Sequence, residues 1–284
     1  MKRSARWPAP AKINLFLRVL GRREDGYHFL QTAFQFLNYC DWLDFVITDQ
    51  SEIRREYRLQ GVSEKDDLII RAAHVLKRAT QYPGGVSISV NKNLPIGGGL
   101  GGGSSDAATV LVALNELWQT NLSIDILTEL GLSLGADVPV FVRGKAAWAE
   151  GVGEVLEPME FEETPIVVVT PDCCVDTKRI FESNDLTRDS LAIKMHHLLG
   201  CTQNDCEAVT RKLYPPVGEA IEWLEKFGSP RMSGTGASIF AFFKTGEEAK
   251  SVAARKPEHW TAFSGRRLNC SPLLSRLADY RNSL

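Results

Sequence analysis

The stretch LPIGGGLGGGSSDAA, residues 94 to 108, decides how the rest of the chain is read. Six of the seven residues from Gly97 to Gly103 are glycine. Each glycine raises the entropy cost of ordering the loop, so such a run persists where the backbone must take positive φ or come very close to something. VSISVNK (86–92) before it reads as a strand. After it come Ser104, Ser105 and Asp106, residue types that cap helix N-termini. AATVLVALNELW (107–118) is then a strong helix former with little polar surface. Strand, glycine loop and helix leave free N–H groups at the positive end of a helix dipole, an anion site suited to phosphate.

Other glycine loops fit less well. Gly97, Gly99 and Gly102 match G-x-G-x-x-G, but Asn93, Leu94 and Pro95 separate them from the strand. The region about 20 residues on, where a dinucleotide fold needs an acidic residue, is a loop of Thr120, Asn121 and Leu122 with only Asp125 nearby. Gly103 stands where a Walker A loop has lysine. Gly/Ser linkers are not normally wedged between a buried strand and an apolar helix.

The 284 residues exceed one small core and suggest two domains. An acidic, proline-punctuated connection, EVLEPMEFEETP (154–165), marks the boundary, giving units 1–158 and 159–284. A formal charge of −2 gives no sign of nucleic-acid binding. The six cysteines form no C-x-x-C pair, and no apolar run reaches about 18 residues. We expect a cytoplasmic protein with reduced thiols, no membrane partner, and a monomeric or homodimeric state. His196, His197, Cys201 and Cys206 fit no standard zinc spacing.

Elsewhere, Ala11 to Leu20 alternates, with Ile13, Leu15, Leu17 and Val19 on one face and Lys12, Asn14, Phe16 and Arg18 on the other. Lys12 and Asn14 therefore point the same way, about 7 Å apart. Asp25-Gly26 is a turn signal that puts Tyr27 and His28 just beyond a turn. Residues 33–48 and 52–59 read as strands. Asp66-Asp67 caps a helix from Leu68 to about Ala79. Ser123 starts another helix, with Gly135 as its C-cap. Asp137 follows, and Pro139 pushes Val138 towards an extended conformation. Further helices are expected near 188–199 and 216–227. SGTGASIFAFF (233–243) reads as a short glycine loop feeding a strand, with positive φ at Gly234 and Gly236. The chain then reads helix, strand, helix to its end.

The glycine segment closely resembles the phosphate loop of the GHMP small-molecule kinases, which include galactose, homoserine and mevalonate kinases. PAKINL resembles the first motif of that family and SGTGAS its third, in family order. The resemblance implies two α+β domains, a ribosomal protein S5 domain 2-like one and a ferredoxin-like one, with a left-handed crossover in the first. It implies ATP, with Mg²⁺, held by Pro95, Ile96, Gly97, Gly98, Gly99, Leu100, Gly101, Gly102, Gly103, Ser104 and Ser105. Either Ser104 or Ser105 would reach the metal. Lys92 and Asp67 match nucleotide-contacting positions, although the family usually has asparagine at the latter. An ionised aspartate has no N–H to offer adenine, so Asp67 either accepts from the adenine amino group or only caps its helix. Lys12 and Asp137 match the active-site lysine and catalytic aspartate. GLGGGSSDAA and DGYH most resemble the branch whose substrate is a cytidine diphosphate-linked methylerythritol. There Tyr27 would stack on cytosine, His28 would hydrogen-bond it, and Phe181 would close the other side. Asn14 and Thr177 would border the same substrate. A homoserine, mevalonate or sugar acceptor, and a nucleotide-binding regulator without catalysis, are the alternatives.

Overall fold

A computed structural model of the chain describes residues 2–56, 63, 65–195 and 202–283. Strands β1 (Lys2–Arg22), β2 (His28–Thr48) and β3 (Ile53–Arg55) come first. Helix α1 (Leu68–Thr80), β4 (Gly85–Asn91), α2 (Gly102–Leu117), α3 (Ile124–Leu132) and α4 (Val138–Arg143) follow. Then come β5 (Ala147–Glu150), β6 (Val155–Pro158), β7 (Pro165–Thr170) and α5 (Thr177–Glu182). The chain continues through α6 (Glu207–Leu213), α7 (Pro215–Glu225), β8 (Arg231–Met232) and β9 (Ile239–Phe242). It closes with α8 (Gly246–Ala254), β10 (Thr261–Leu268) and α9 (Pro272–Asn282).

β2 organises the sheet. One edge takes β1 as an antiparallel hairpin, and the Asp25-Gly26 turn closes it with Gly26 at φ +90°. The other edge is shared: β4 pairs with Trp42–Thr48, β10 with Phe36 and Leu37, and β5 with Thr32–Phe34. β3 lies parallel to β4, and β6 pairs with β5. β10 carries the row onward to β7, β9 and β8. Helices α1, α2 and α4 bury Leu76, Leu111, Leu114 and Val140 against the first part of the sheet. The terminal helix α9 returns to that core with Leu273 and Tyr280. A second core joins Val167 and Val169 to Ile221, Leu224 and Ile239. A third lies between the two and contains Ile13, Phe16 and Leu37 with Ile166, Val168 and Phe240.

Several expectations are corrected. β1 is twice as long as Ala11–Leu20 suggests, and its register shifts between Asn14 and Leu17. A bulge of that kind resets the facing of the residues after it. Ile13 and Leu15 therefore pack in the third core, and Leu17 and Val19 in the second. The strand expected at 52–59 is only Ile53–Arg55; its positions 57–59 lie outside the described residues. Ser104, Ser105 and Asp106 are not caps: α2 starts earlier, with Gly101 as N-cap at φ +73°. Only glycine enters that left-handed conformation without penalty, so the helix begins where the glycines allow it. Val138 is helical, because proline is tolerated in a first turn whose N–H groups have no partner anyway. α3 ends at Leu132 with Ser133 as C-cap, short of Gly135. Residues 188–194 form no helix. Ser190 N donates instead to Val19 O, and Ile193 N to Gln31 Oε1, so cross-strand bonds replace a local ladder. Positions 196–199 of that expected helix, and His196, His197 and Cys201, lie outside the described residues. Cys40, Cys173, Cys174, Cys206 and Cys270 are free thiols. Among the described residues no helix is long and apolar enough to cross a membrane.

Candidate active site

A single cavity of about 1000 Å³ gathers most of the residues singled out in the sequence. Lys12, Asn14, Tyr27, His28, Asp67, Lys92, Ser104, Asp137, Thr177 and Phe181 all line it. So do Pro95, Ile96, Gly97, Gly98, Gly99, Gly101, Gly102 and Gly103. Leu100 and Ser105 do not. Leu100, the one side chain among the glycines, is buried in the third core, where it anchors the loop. Burying a leucine stabilises by roughly 1.5–3 kcal/mol, which offsets part of the entropy cost of ordering the glycines. Ser105 is fully buried, and its hydroxyl has no hydrogen-bond partner among the described residues.

The loop turns its carbonyls into the protein. Gly98 O accepts from Ser238 N (3.1 Å). Gly99 O accepts from Ser233 Oγ (2.9 Å) and Lys12 Nζ (3.1 Å). Leu100 O accepts from Lys12 N (2.9 Å). The first α-helical bond of α2 runs from Ser105 N to Gly101 O, and no side chain caps the helix. The N–H groups before Ser105 are therefore left for an outside acceptor. Backbone proximity explains two of the glycines. A Cβ at Gly99, φ +73°, would sit 2.2 Å from Ser233 O. One at Gly101 would meet the Phe141 ring at 2.7 Å and Lys12 Cε at 3.2 Å. The expected positive φ is present at Gly234 (+58°) and Gly236 (+90°), and their loop forms the wall behind Gly99.

Lys12, from β1, and Asp137, from the α4 entrance, meet at 3.3 Å (Nζ to Oδ2). The ammonium is buried and also donates to Asn14 Oδ1 at 2.6 Å. It lies 5.3 Å from the centre of the Phe34 ring. Asn14 is committed inside the protein, since its Nδ2 donates to Thr32 Oγ1 at 2.9 Å. It fixes the lysine as much as it faces the cavity. Asp137 makes no capping bond to its own helix, and its side chain is 36% exposed.

Lys92 is not free. Its ammonium is held by Asp41 and, at 2.7 Å, by Asp106 Oδ2. Burial alone would lower its pKa, but the two carboxylates outweigh that and raise it. Burial pushes the Asp106 carboxyl up to about 7 against the pull of Lys92. Asp41 Oδ1 accepts from the N–H groups of Asn93 (2.6 Å) and Leu94 (2.8 Å), so it braces the chain into the glycine loop. Asp67 caps α1 through Ile69 N (2.9 Å) and pairs with Arg55, so both its oxygens are engaged.

At the far end, Tyr27 stands 62% exposed at the cavity mouth. His28 is buried and stacks on Phe181, with centroids 5.1 Å apart and 28° between planes. One face of Phe181 is thus covered by His28. Thr177 and Thr235 share a hydroxyl hydrogen bond of 2.9 Å, which ties α5 to the 233–243 loop. Sequence reasoning missed Asp41, Asp106 as an ion-pair partner, Ser233 and Arg188. Asp106 lay within the glycine motif, where it read as a cap, and Ser233 opens the SGTGAS segment, where only the glycines were read.

A glycine loop leading into an uncapped helix start, beside a buried lysine and a carboxylate, is an arrangement suited to phosphoryl transfer. Residues 67–145 match the GHMP kinases N terminal domain and residues 184–262 the GHMP kinases C terminal. The chain belongs to the GHMP kinase family and has its two-domain α+β fold. It is 53% identical to the 4-diphosphocytidyl-2-C-methyl-D-erythritol kinase of Nitrosococcus oceani, over 95% of this chain and 97% of that one. It is 51% identical to the protein of that name from Halorhodospira halophila, over 96% of each. A crystal structure of 4-(cytidine 5'-diphospho)-2C-methyl-D-erythritol kinase superposes with a TM-score of 0.79 at 33% identity, covering 94% of this chain and 99% of the other. The Methanococcus jannaschii mevalonate kinase shares the fold alone, with a TM-score of 0.66 at 14% identity, over 94% and 98% of the two chains.

Proposed function

We propose that this chain transfers the γ-phosphoryl group of ATP to the 2-hydroxyl of 4-diphosphocytidyl-2-C-methyl-D-erythritol, a step in non-mevalonate isoprenoid precursor synthesis. Relatives of that name at about half identity and nearly full length support the reading. The observation that carries the chemistry is the Lys12–Asp137 pair, 3.3 Å apart beside the glycine loop. Such a transfer is mostly positioning and charge stabilisation. The outward amides of the loop and of the first turn of α2 receive the phosphates. Asp137 accepts the proton of the attacking hydroxyl. The Lys12 ammonium, fixed by Asn14 and Gly99 O, offsets the negative charge that develops on the acceptor oxygen. Tyr27 supplies a flat face for the base, and His28 a polar edge.

The donor set fits Mg²⁺ bound mainly through substrate. Among the described residues no cluster of three or more His, Cys, Asp or Glu could hold a metal. Mg²⁺ ordinarily takes phosphate oxygens, water and only one or two protein ligands. Of the two serines, we favour Ser104, which lines the cavity, over Ser105, which is fully buried. Bound there, Mg²⁺ neutralises charge on the triphosphate. We also take 1–158 and 159–284 as the two domains, with α9 packing back on the first.

An ADP-release assay across cytidylyl-methylerythritol, mevalonate, homoserine and galactose tests the reading. Turnover with the cytidylyl compound alone is expected. Equal or better turnover with another acceptor would reject it.

A further inference from the structure

Arg188 donates a hydrogen bond to His28. Its Nε donates to His28 Nε2 at 3.1 Å. Its Nη2 donates to the carbonyls of Phe181 (2.7 Å) and Ser183 (2.8 Å), and its Nη1 to that of Leu186 (3.1 Å). The guanidinium is thus pinned by three backbone acceptors, and it presents one N–H to the imidazole. A guanidinium has no acceptor atom. The lone pair of this contact therefore belongs to His28 Nε2, and the neutral ring carries its proton on Nδ1. Burial, then Arg188, then Arg22 hold the imidazole below its usual pKa, which keeps it in this neutral form.

We propose that Arg188 is a positioning residue that fixes His28 as an Nδ1–H donor, and that this selects a pyrimidine whose N3 is an acceptor. The inference rests on the reading of this cavity end as a base pocket. Cytosine has a bare N3, whereas uracil has N3–H at the same place. A fixed donor meets a partner in the first case and another donor in the second. Rejecting a ligand by leaving polar groups unpaired is a stronger discriminator than a change of shape. Arg188 does not line the cavity, so it acts only through His28 and the α5 turn.

The test begins with the unmutated protein, labelled with ¹⁵N at histidine, in a long-range ¹H–¹⁵N spectrum at neutral pH. The His28 signals are assigned by their loss in His28→Asn. A proton on Nδ1 and a bare Nε2 are expected; a proton on Nε2 overturns the proposal whatever the enzyme does. Arg188→Lys and Arg188→Ala are then compared by KM for the cytidylyl substrate and by its kcat/KM ratio to the uridylyl analogue. For Arg188→Ala, KM is expected to rise roughly tenfold and the ratio to fall by a similar factor, the worth of one oriented hydrogen bond. The His28 signals should also shift to a mixture of tautomers, which a merely structural role would not produce. Arg188→Lys, which keeps a donor, should retain the tautomer and part of the selectivity. Unchanged KM and ratio in both variants, while Tyr27→Ala weakens the same substrate, would sink the role of Arg188 and leave the base pocket standing. No effect from any of the three would remove the base pocket itself.

Discussion

The two ends of the cavity are built differently. The phosphate end is made of backbone: a run of glycines whose carbonyls are tied to Lys12, Ser233 and Ser238. The base end is made of side chains from separate elements: Tyr27 after the hairpin turn, His28 on β2, Phe181 on α5 and Arg188 beyond it. A backbone site tolerates little change in conformation, because the carbonyls of Gly98, Gly99 and Leu100 and the absent Cβ atoms of Gly99 and Gly101 are set by neighbours. A side-chain site tolerates loss of one wall and gives up affinity in proportion. In the function proposed above, the phosphate end would serve many acceptors, and the base end would set which acceptor is used.

That contrast can be broken by substitution. Gly99→Ala should have the largest effect, since its Cβ would lie 2.2 Å from a backbone oxygen at positive φ. A loss of roughly 2–3 kcal/mol in urea unfolding, with a raised KM for ATP, is expected. A variant as stable and as tight for ATP as the parent would show that the loop is not so constrained. Tyr27→Ala touches only the exposed ring at the mouth. It should raise KM for the cytidylyl substrate by roughly 10- to 100-fold, the worth of one stacked base, and leave KM for ATP in place. The reverse pattern would take Tyr27 out of the base pocket.

Asp106→Asn probes the ion pair behind the glycine loop. Burial raises the Asp106 carboxyl to about 7, above its unfolded value near 3.8. Between those values the folded state holds more protons than the unfolded one, so stability falls as pH rises through this window. Removing the charge should therefore help most at the alkaline side. Melting curves should show the variant gaining about 1–2 kcal/mol on the parent between pH 4 and pH 8. A difference independent of pH would contradict it. Gly103→Ala should matter least. Its Cβ would meet Leu68 Cδ1 at an ordinary 3.5 Å within α2, so a change within about 0.5 kcal/mol is expected. A large loss there would mean that every glycine of the run is needed, and the distinction drawn from Gly99 would fail.

The same contrast governs what the sequence could disclose. The glycine run, the Asp67 cap and the DGYH turn are local, and local chemistry set them. The meeting of Lys12 with Asp137 was legible only through resemblance, because nothing in residues 8–21 points to residue 137. Arg188 and Asp41 lie in no motif, Ser233 only opens SGTGAS, and each matters through a bond across 50 to 220 positions of chain: Asp41 to Lys92 and Leu94, Ser233 to Asn14 and Gly99, and Arg188 to His28. The β1 bulge escaped a strict two-residue period, and the segment 188–194 was pulled from helix by bonds to Val19 and Gln31.

The central claim is that a carboxylate and an ammonium meet over the glycine loop to move a phosphoryl group. Single-turnover transfer from ATP to cytidylyl-methylerythritol by Asp137→Asn tests it most directly. The rate should fall at least ~10²-fold while the substrate and ATP still bind with near-parental affinity. A transfer rate close to the parent's, with both substrates bound, would contradict the assignment of Asp137 as base.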